Sequence, residues 1–140
     1  MPQLVFINLP VTDLPRAIRF YEAIGATVNP QFTDDTAACM VFSETIFVML
    51  LTHAKFRQFT TKPIADARAA TGMLICLSRE SREAVDAITQ VAVAAGGAPD
   101  PSPVQDHGFM YGRSFEDLDG HVFEVMWMDV EAAQAAWAKS

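Results

Sequence analysis

Glu124 is the side chain whose setting most invites chemistry. It is the only charge in the run Val122–Met128, where Phe123, Val125 and Trp127 alternate with Val122, Glu124, Met126 and Met128. A carboxylate among apolar neighbours is costly unless it is paired or gives up its charge. Folding the chain back about Asp119-Gly120 pairs Glu116 with His121 and sets Arg113 opposite Glu124, with a slip of one residue as the alternative register. Tyr111, Arg113 and Phe115 would then share a face with Glu124 and Met126. The Arg113–Glu124 pair has two readings. In one, Arg113 holds a ligand carboxylate or phosphate while Glu124 serves as base or acceptor. In the other, the pair is a salt bridge that fixes the hairpin. Asn8 offers an amide to the same site, or bonds to neighbouring backbone. Phe6, Phe42, Leu50, Tyr111, Met126 and Trp127 are either core or ligand wall, and methionine suits an adaptable wall. Asp117 and Asp119, flanking the turn at Gly120, read as ordinary turn chemistry.

These residues must be positioned by the elements around them. The sequence predicts a strand over Leu4–Val11, with Val5, Ile7, Leu9 and Val11 on one row and Phe6, Asn8 and Pro10 on the other. Asp13 caps a helix that tolerates Pro15 in its first turn and stops at Gly25. Strands follow around 26–32, 37–42 and 45–52, the last two joined at Ser43-Glu44. Residues 53–71 read as a crossing connection with a short helix near Ile64–Ala70. Then the opening order returns. Met73–Ser78 is a strand, Ser81 caps a helix with Val85, Ile88, Ala92 and Ala95 on one face, and Gly96-Gly97 ends it. A loop rich in Pro and Asp leads to a hairpin, Phe109–Glu116 with His121–Met128, and an Ala-rich tail reads as a helix.

The bulk properties bound the answer. The chain has 140 residues, 51% apolar and 19% charged, which suits one domain with a real core. A net charge of −7 and no Lys/Arg cluster argue against a nucleic-acid partner, and no basic amphipathic helix serves a membrane surface. No apolar stretch approaches the ~20 residues that span a bilayer, and Met1-Pro2-Gln3 leads straight into a strand-like run. The expectation is a cytoplasmic protein with Cys39 and Cys76 as reduced, buried thiols. His53, His107 and His121 either form a site of their own or are solvated, His107 being the one set beside an acid, Asp106, in the loop.

The passage "NLPVTDLPRAIRFYEAIG", its echo after residue 72 and the closing "FEDLDGHVFEVMW" resemble the vicinal oxygen chelate superfamily, which contains glyoxalase I, extradiol dioxygenases, fosfomycin-resistance enzymes and bleomycin-binding proteins. The stretches "TAACMV", "FVMLLT" and "FMYGRSFEDLDGH" are similar to a bacterial glyoxalase-like subgroup labelled predicted lactoylglutathione lyase. The resemblance implies an α+β fold of two βαβββ modules with curled mixed sheets enclosing a pocket, as a single domain over 1–140. Module one covers about 1–53, the connection about 54–71, module two about 72–128, and the C-terminal helix about 129–140.

It also implies where a divalent metal would bind in catalytic members. The four ligand positions fall at Phe6, at Leu50, within Gly72–Leu74, and at Glu124. Only Glu124 can bind a metal, and even open zinc sites usually keep three protein ligands. The cofactor is therefore left unknown, with a divalent metal disfavoured. The resemblance then implies a homodimer that binds a small molecule without the complete metal site. The alternative is a lactoylglutathione lyase-like isomerase with Glu124 as base and an unconventional metal or Arg113 as electrophile.

Overall fold

The computed structural model describes residues 2–138. Two compact units divide the chain at residues 70 and 71.

The first unit holds β1 (Val5–Val11), α1 (Leu14–Ala23), β2 (Thr27–Asn29), β3 (Ala37–Val41) and β4 (Ile46–Thr52) in a mixed sheet ordered β1-β4-β3-β2. Asp13 caps α1 as expected, its carboxylate accepting from the Arg16 amide at 3.1 Å. Gly25 ends the helix at φ +108°. The stretch after β2 departs from expectation: Pro30–Phe32 form a 3-10 turn capped by Asn29, because proline fixes φ and removes a ladder donor. The connection also differs. Its helix, α2 (His53–Phe56), sits directly after β4 with Thr52 as cap, whereas Ile64–Ala70 has only a turn about Asp66.

Register decides which side chains share a face. β1 and β4 run parallel with Phe6 beside Phe47, Asn8 beside Met49 and Leu9 beside Leu50. α1 packs on β3 and β4, burying Leu14, Ala17, Phe20 and Tyr21 with Leu9, Met40, Val48 and Leu50. Phe42 lies on that side too, edge-on to Tyr21 at 6.3 Å.

The second unit repeats the plan with β5 (Leu74–Ser78), α3 (Arg82–Ala94), the short β6 (Ala98–Pro99) and β7 (Gln105–Asp106), β8 (Met110–Glu116) and β9 (Val122–Met128), followed by α4 (Val130–Ala138). Its order is β5-β9-β8-β6, with β7 also pairing to β8. Ser81 caps α3, and Gly96 ends it at φ +106°. α3 buries Val85, Ile88, Thr89 and Ala92 against Ile75, Leu77, Phe115, Phe123 and Val125. Thr89 replaces the expected Ala95 on this face and is satisfied locally, its hydroxyl donating to the Val85 carbonyl at 2.8 Å.

Candidate functional site

The hairpin β8–β9 carries most of the residues singled out above, and its register corrects the expected pairing. Ser114 stands opposite Glu124, and Arg113 stands opposite Val125. The cause lies in the turn. Glu116 pairs with Val122 rather than His121, and the extra residue is closed by Asp117, whose amide donates to the His121 carbonyl at 2.9 Å. The Asp117 carboxylate, buried, accepts from the amides of Asp119 and His121 at 2.9 and 2.8 Å. This is the structural role expected of that acid. Because the side-chain period of a strand is two, a slip of one residue sends Tyr111, Arg113 and Phe115 together to the α3 side.

There Arg113 is fully engaged. It donates to Asp100 Oδ1 and Oδ2 at 3.2 and 2.8 Å and to Asp86 Oδ1 at 3.1 Å. The Tyr111 hydroxyl donates to the same Asp86 oxygen at 2.7 Å. Asp86 is held below the usual carboxylate range first by the Tyr111 hydrogen bond and then by Arg113, and Asp100 by its bond to Arg113. The Arg113–Glu124 salt bridge is thus replaced by an Asp86–Arg113–Asp100 bridge that ties the hairpin to α3 and to the loop after β6.

That loop is fastened a second time. Arg82 donates to both oxygens of Asp106 at 3.0 and 2.8 Å and to the Gly108 carbonyl, while its guanidinium stacks at 5.0 Å from the Tyr111 ring and 5.4 Å from Trp127. Asp106 is drawn down to about 2, chiefly by Arg82. At the first of these fastenings Asp100 takes φ +44°, the one non-glycine at positive φ among the described residues. Ser102 closes on the buried Ser114, its amide donating to Ser114 Oγ at 3.0 Å.

On the face away from α3, Glu124 lies between Cys76 of β5 and Ser114 of β8. Met126 stands beside Gly112, and both border a cavity. Cys76, Ser102, Gln105, Met110, Glu124 and Met126 line a cavity of about 130 Å³, to which Arg113 contributes wall but not its engaged guanidinium. Glu124 is half-buried and has no ion pair or hydrogen bond of its side chain among the described residues. Cys76 is exposed, contrary to expectation, because its row faces away from α3. Desolvation by the crowded sheet and then the Glu124 charge raise its thiol above the usual range. Cys39 is buried as expected.

Sequence reasoning missed Cys76, Ser114, Asp86, Asp100 and Arg82 as members of this region. Counting along parallel strands from Glu124 was the one available signal for Cys76. Along the parallel strands the β5 residue beside Glu124 is Cys76, and the β4 residues beside Phe6 and Asn8 are Phe47 and Met49.

In the first unit, Phe6 is exposed and stacks on Phe47 at 4.8 Å, and the Asn8 amide donates to the Phe6 carbonyl at 3.3 Å. Leu50 and Phe42, expected as cavity wall, pack under α1 instead. His107 meets the Gln105 amide oxygen at 3.1 Å and stacks on Phe109. No group of three or more His, Cys, Asp and Glu side chains converges among the described residues. The donors beside Glu124 therefore do not fit the metal that the fold implies, and no step is derived through one.

A larger groove of about 700 Å³ runs between α4 and the end of the hairpin, lined by Phe109, Met128, Val130 and Trp137 with His107 and Gln134. None of the described α4 side chains is buried, so this wall is weakly held. Among the described residues no helix is long and apolar enough to cross a membrane.

Comparison with known proteins agrees with this architecture. A hypothetical protein from S. aureus superposes with a TM-score of 0.74 at 29% identity, covering 91% of this chain and 95% of its own. A glyoxalase/bleomycin resistance protein/dioxygenase family enzyme from Burkholderia phytofirmans gives 0.73 at 18% identity, covering 91% and 99%. The fosfomycin resistance protein FosX from Listeria monocytogenes gives 0.64 at 21%, covering 91% of each chain. A search of curated proteins finds no match. Residues 3–125 match the family described as Glyoxalase/Bleomycin resistance protein/Dioxygenase superfamily, and the chain, with its two βαβββ sheets, belongs to that superfamily.

Proposed function

We propose that the chain is a small-molecule-binding member of the superfamily whose ligand lies on the Glu124 side of the second sheet, held without a complete metal site. The observation that carries this reading is Glu124 itself: half-buried, without a side-chain partner among the described residues, and facing a cavity lined also by a thiol, two thioethers, two hydroxyls and the Gln105 amide, with Arg113 in its wall but engaged by two carboxylates. A carboxylate kept in such a place costs stability unless something binds it. The isomerase alternative needs an electrophile for the developing oxyanion. Arg113 is engaged by two carboxylates on the opposite face, and the donors beside Glu124 offer a Lewis acid no cradle. The geometry thus favours binding over turnover. The fosfomycin resistance named for some neighbours is consistent with a small ligand.

A thermal-shift screen of small molecules tests the reading. Saturable stabilisation without product is expected, and Glu124→Gln should weaken the best binder about tenfold, as loss of one charge-assisted hydrogen bond would. Turnover of the glutathione hemithioacetal of methylglyoxal, abolished by Glu124→Gln, would overturn it in favour of the isomerase.

Two copies are further proposed to pair. The edge strands β1 and β5 and their approaches expose Leu4, Val5, Phe6, Met73 and Leu74, and exposed apolar edges favour association.

A further inference from the structure

We infer that the Glu124 cavity takes the cationic head of its ligand, a protonated amine or amidinium on a compact apolar body. This rests on the small-molecule reading above and specifies its chemistry.

Charge is the first argument. Residues 1–70 carry six acidic and six basic side chains, whereas residues 71–140 carry eleven acidic against four basic. The whole net charge of −7 therefore belongs to the unit that contains the cavity. A field of that sign concentrates cations at its surface and repels carboxylates and phosphates.

Local pairing is the second. Two guanidinium groups of this unit are already matched, Arg113 by Asp86 and Asp100 and Arg82 by Asp106, and Arg79 donates from one nitrogen to the Ser78 carbonyl. With two carboxylates on Arg113, that cluster retains a negative charge of its own. Glu124 is left as the acceptor without a donor, and among the described residues that line the cavity the one cation, Arg113, is already held by two carboxylates. This reverses the ligand polarity implied by an Arg113 anchor.

The third argument is the wall. Met110, Met126 and Cys76 set soft, polarisable sulfur around Glu124, while Gln105 and Ser102 add polar groups at the rim. An ammonium can place one N–H on the Glu124 carboxylate and its alkyl or aryl body against the thioethers. At about 130 Å³ the cavity is well below the ~300 Å³ at which drug-sized sites begin. It suits a small amine or the end group of a longer molecule.

Three probes of matched shape separate the possibilities: benzylamine, benzyl alcohol and benzoate, titrated into full-length protein carrying ¹³C-methyl methionine. Benzylamine should shift the Met110 and Met126 methyl signals saturably, at least about tenfold more tightly than benzyl alcohol, and benzoate should leave them unmoved. Glu124→Gln should bring benzylamine to the level of the alcohol. Equal binding of amine and alcohol, or tighter binding of benzoate, overturns the cationic assignment while leaving a small-molecule site in place. Silence of both methyl signals towards all three probes overturns it as well. If a neutral screen is also silent, the binding function itself falls.

Discussion

Arg82 lies over two neighbouring aromatic rings and reaches one carboxylate with two nitrogens, and Asp106 is the acid drawn down furthest. Its pKa near 2 in the folded chain lies below the ~3.9 of an unfolded Asp. A depressed carboxylate pKa contributes stability that is fully present above the unfolded value and is lost as pH falls through the folded one. The window for Asp106 is therefore about pH 4 down to about 2, and Asp86 and Asp100, also lowered, act in the same direction. Arg82→Met keeps much of the apolar stem over Tyr111 and Trp127 but removes the pair. Its melting temperature should fall less steeply than that of the parent chain between pH 4 and pH 2. Parallel acid limbs in the two proteins would show that the pair does not couple to folding.

At the scale of elements, both long helices end on a glycine that no other residue fits easily. Gly25 and Gly96 sit at φ +108° and +106°, a region that L side chains rarely adopt. Their surroundings differ. A Cβ at Gly25 would meet nothing within 4 Å, whereas one at Gly96 would lie 3.0 Å from Leu118 Cδ2, in the hairpin turn. Gly25→Ala should cost about 1–2 kcal/mol from backbone strain alone. Gly96→Ala should cost more, because Leu118 must also move. Urea midpoints of the two variants compare them directly, and a smaller loss for Gly96→Ala would contradict the contact. Such stops, like the caps at Asp13 and Ser81, were legible in the sequence because each is a local device acting over three or four residues. The misplaced connection helix shows the limit of local reading. Ile64–Ala70 has helix-forming residues, but the chain there turns only once about Asp66, while Thr52 starts a helix at His53, eleven residues before Ile64, through a cap on Lys55.

For the whole molecule, the uneven charge and the exposed apolar edges would act on different partners under the proposed reading, the first on the ligand and the second on a neighbouring chain. Light scattering on the eluting protein should give twice the 15.3 kDa of one chain. A mass of one chain at micromolar concentration would remove the proposed pairing without touching the Glu124 cavity.

The sequence by itself determined the repeated strand–helix–strand order, the helix ends, the alternation of Glu124 and Met126 against Phe123 and Val125, and family membership. All of these depend on residue periodicity or on contacts a few positions apart. The tertiary structure decided which of those faces carries which partner. One extra residue in the Asp117–His121 turn sends Arg113 to α3, where its acids come from 13 and 27 positions away, and leaves Glu124 beside Cys76 and Ser114. Leu50 and Phe42 likewise fall under α1 by register, although in sequence they look no different from the Phe6 row. Strand parity is fixed by long-range pairing and turn closure, and no local property of these residues encodes it.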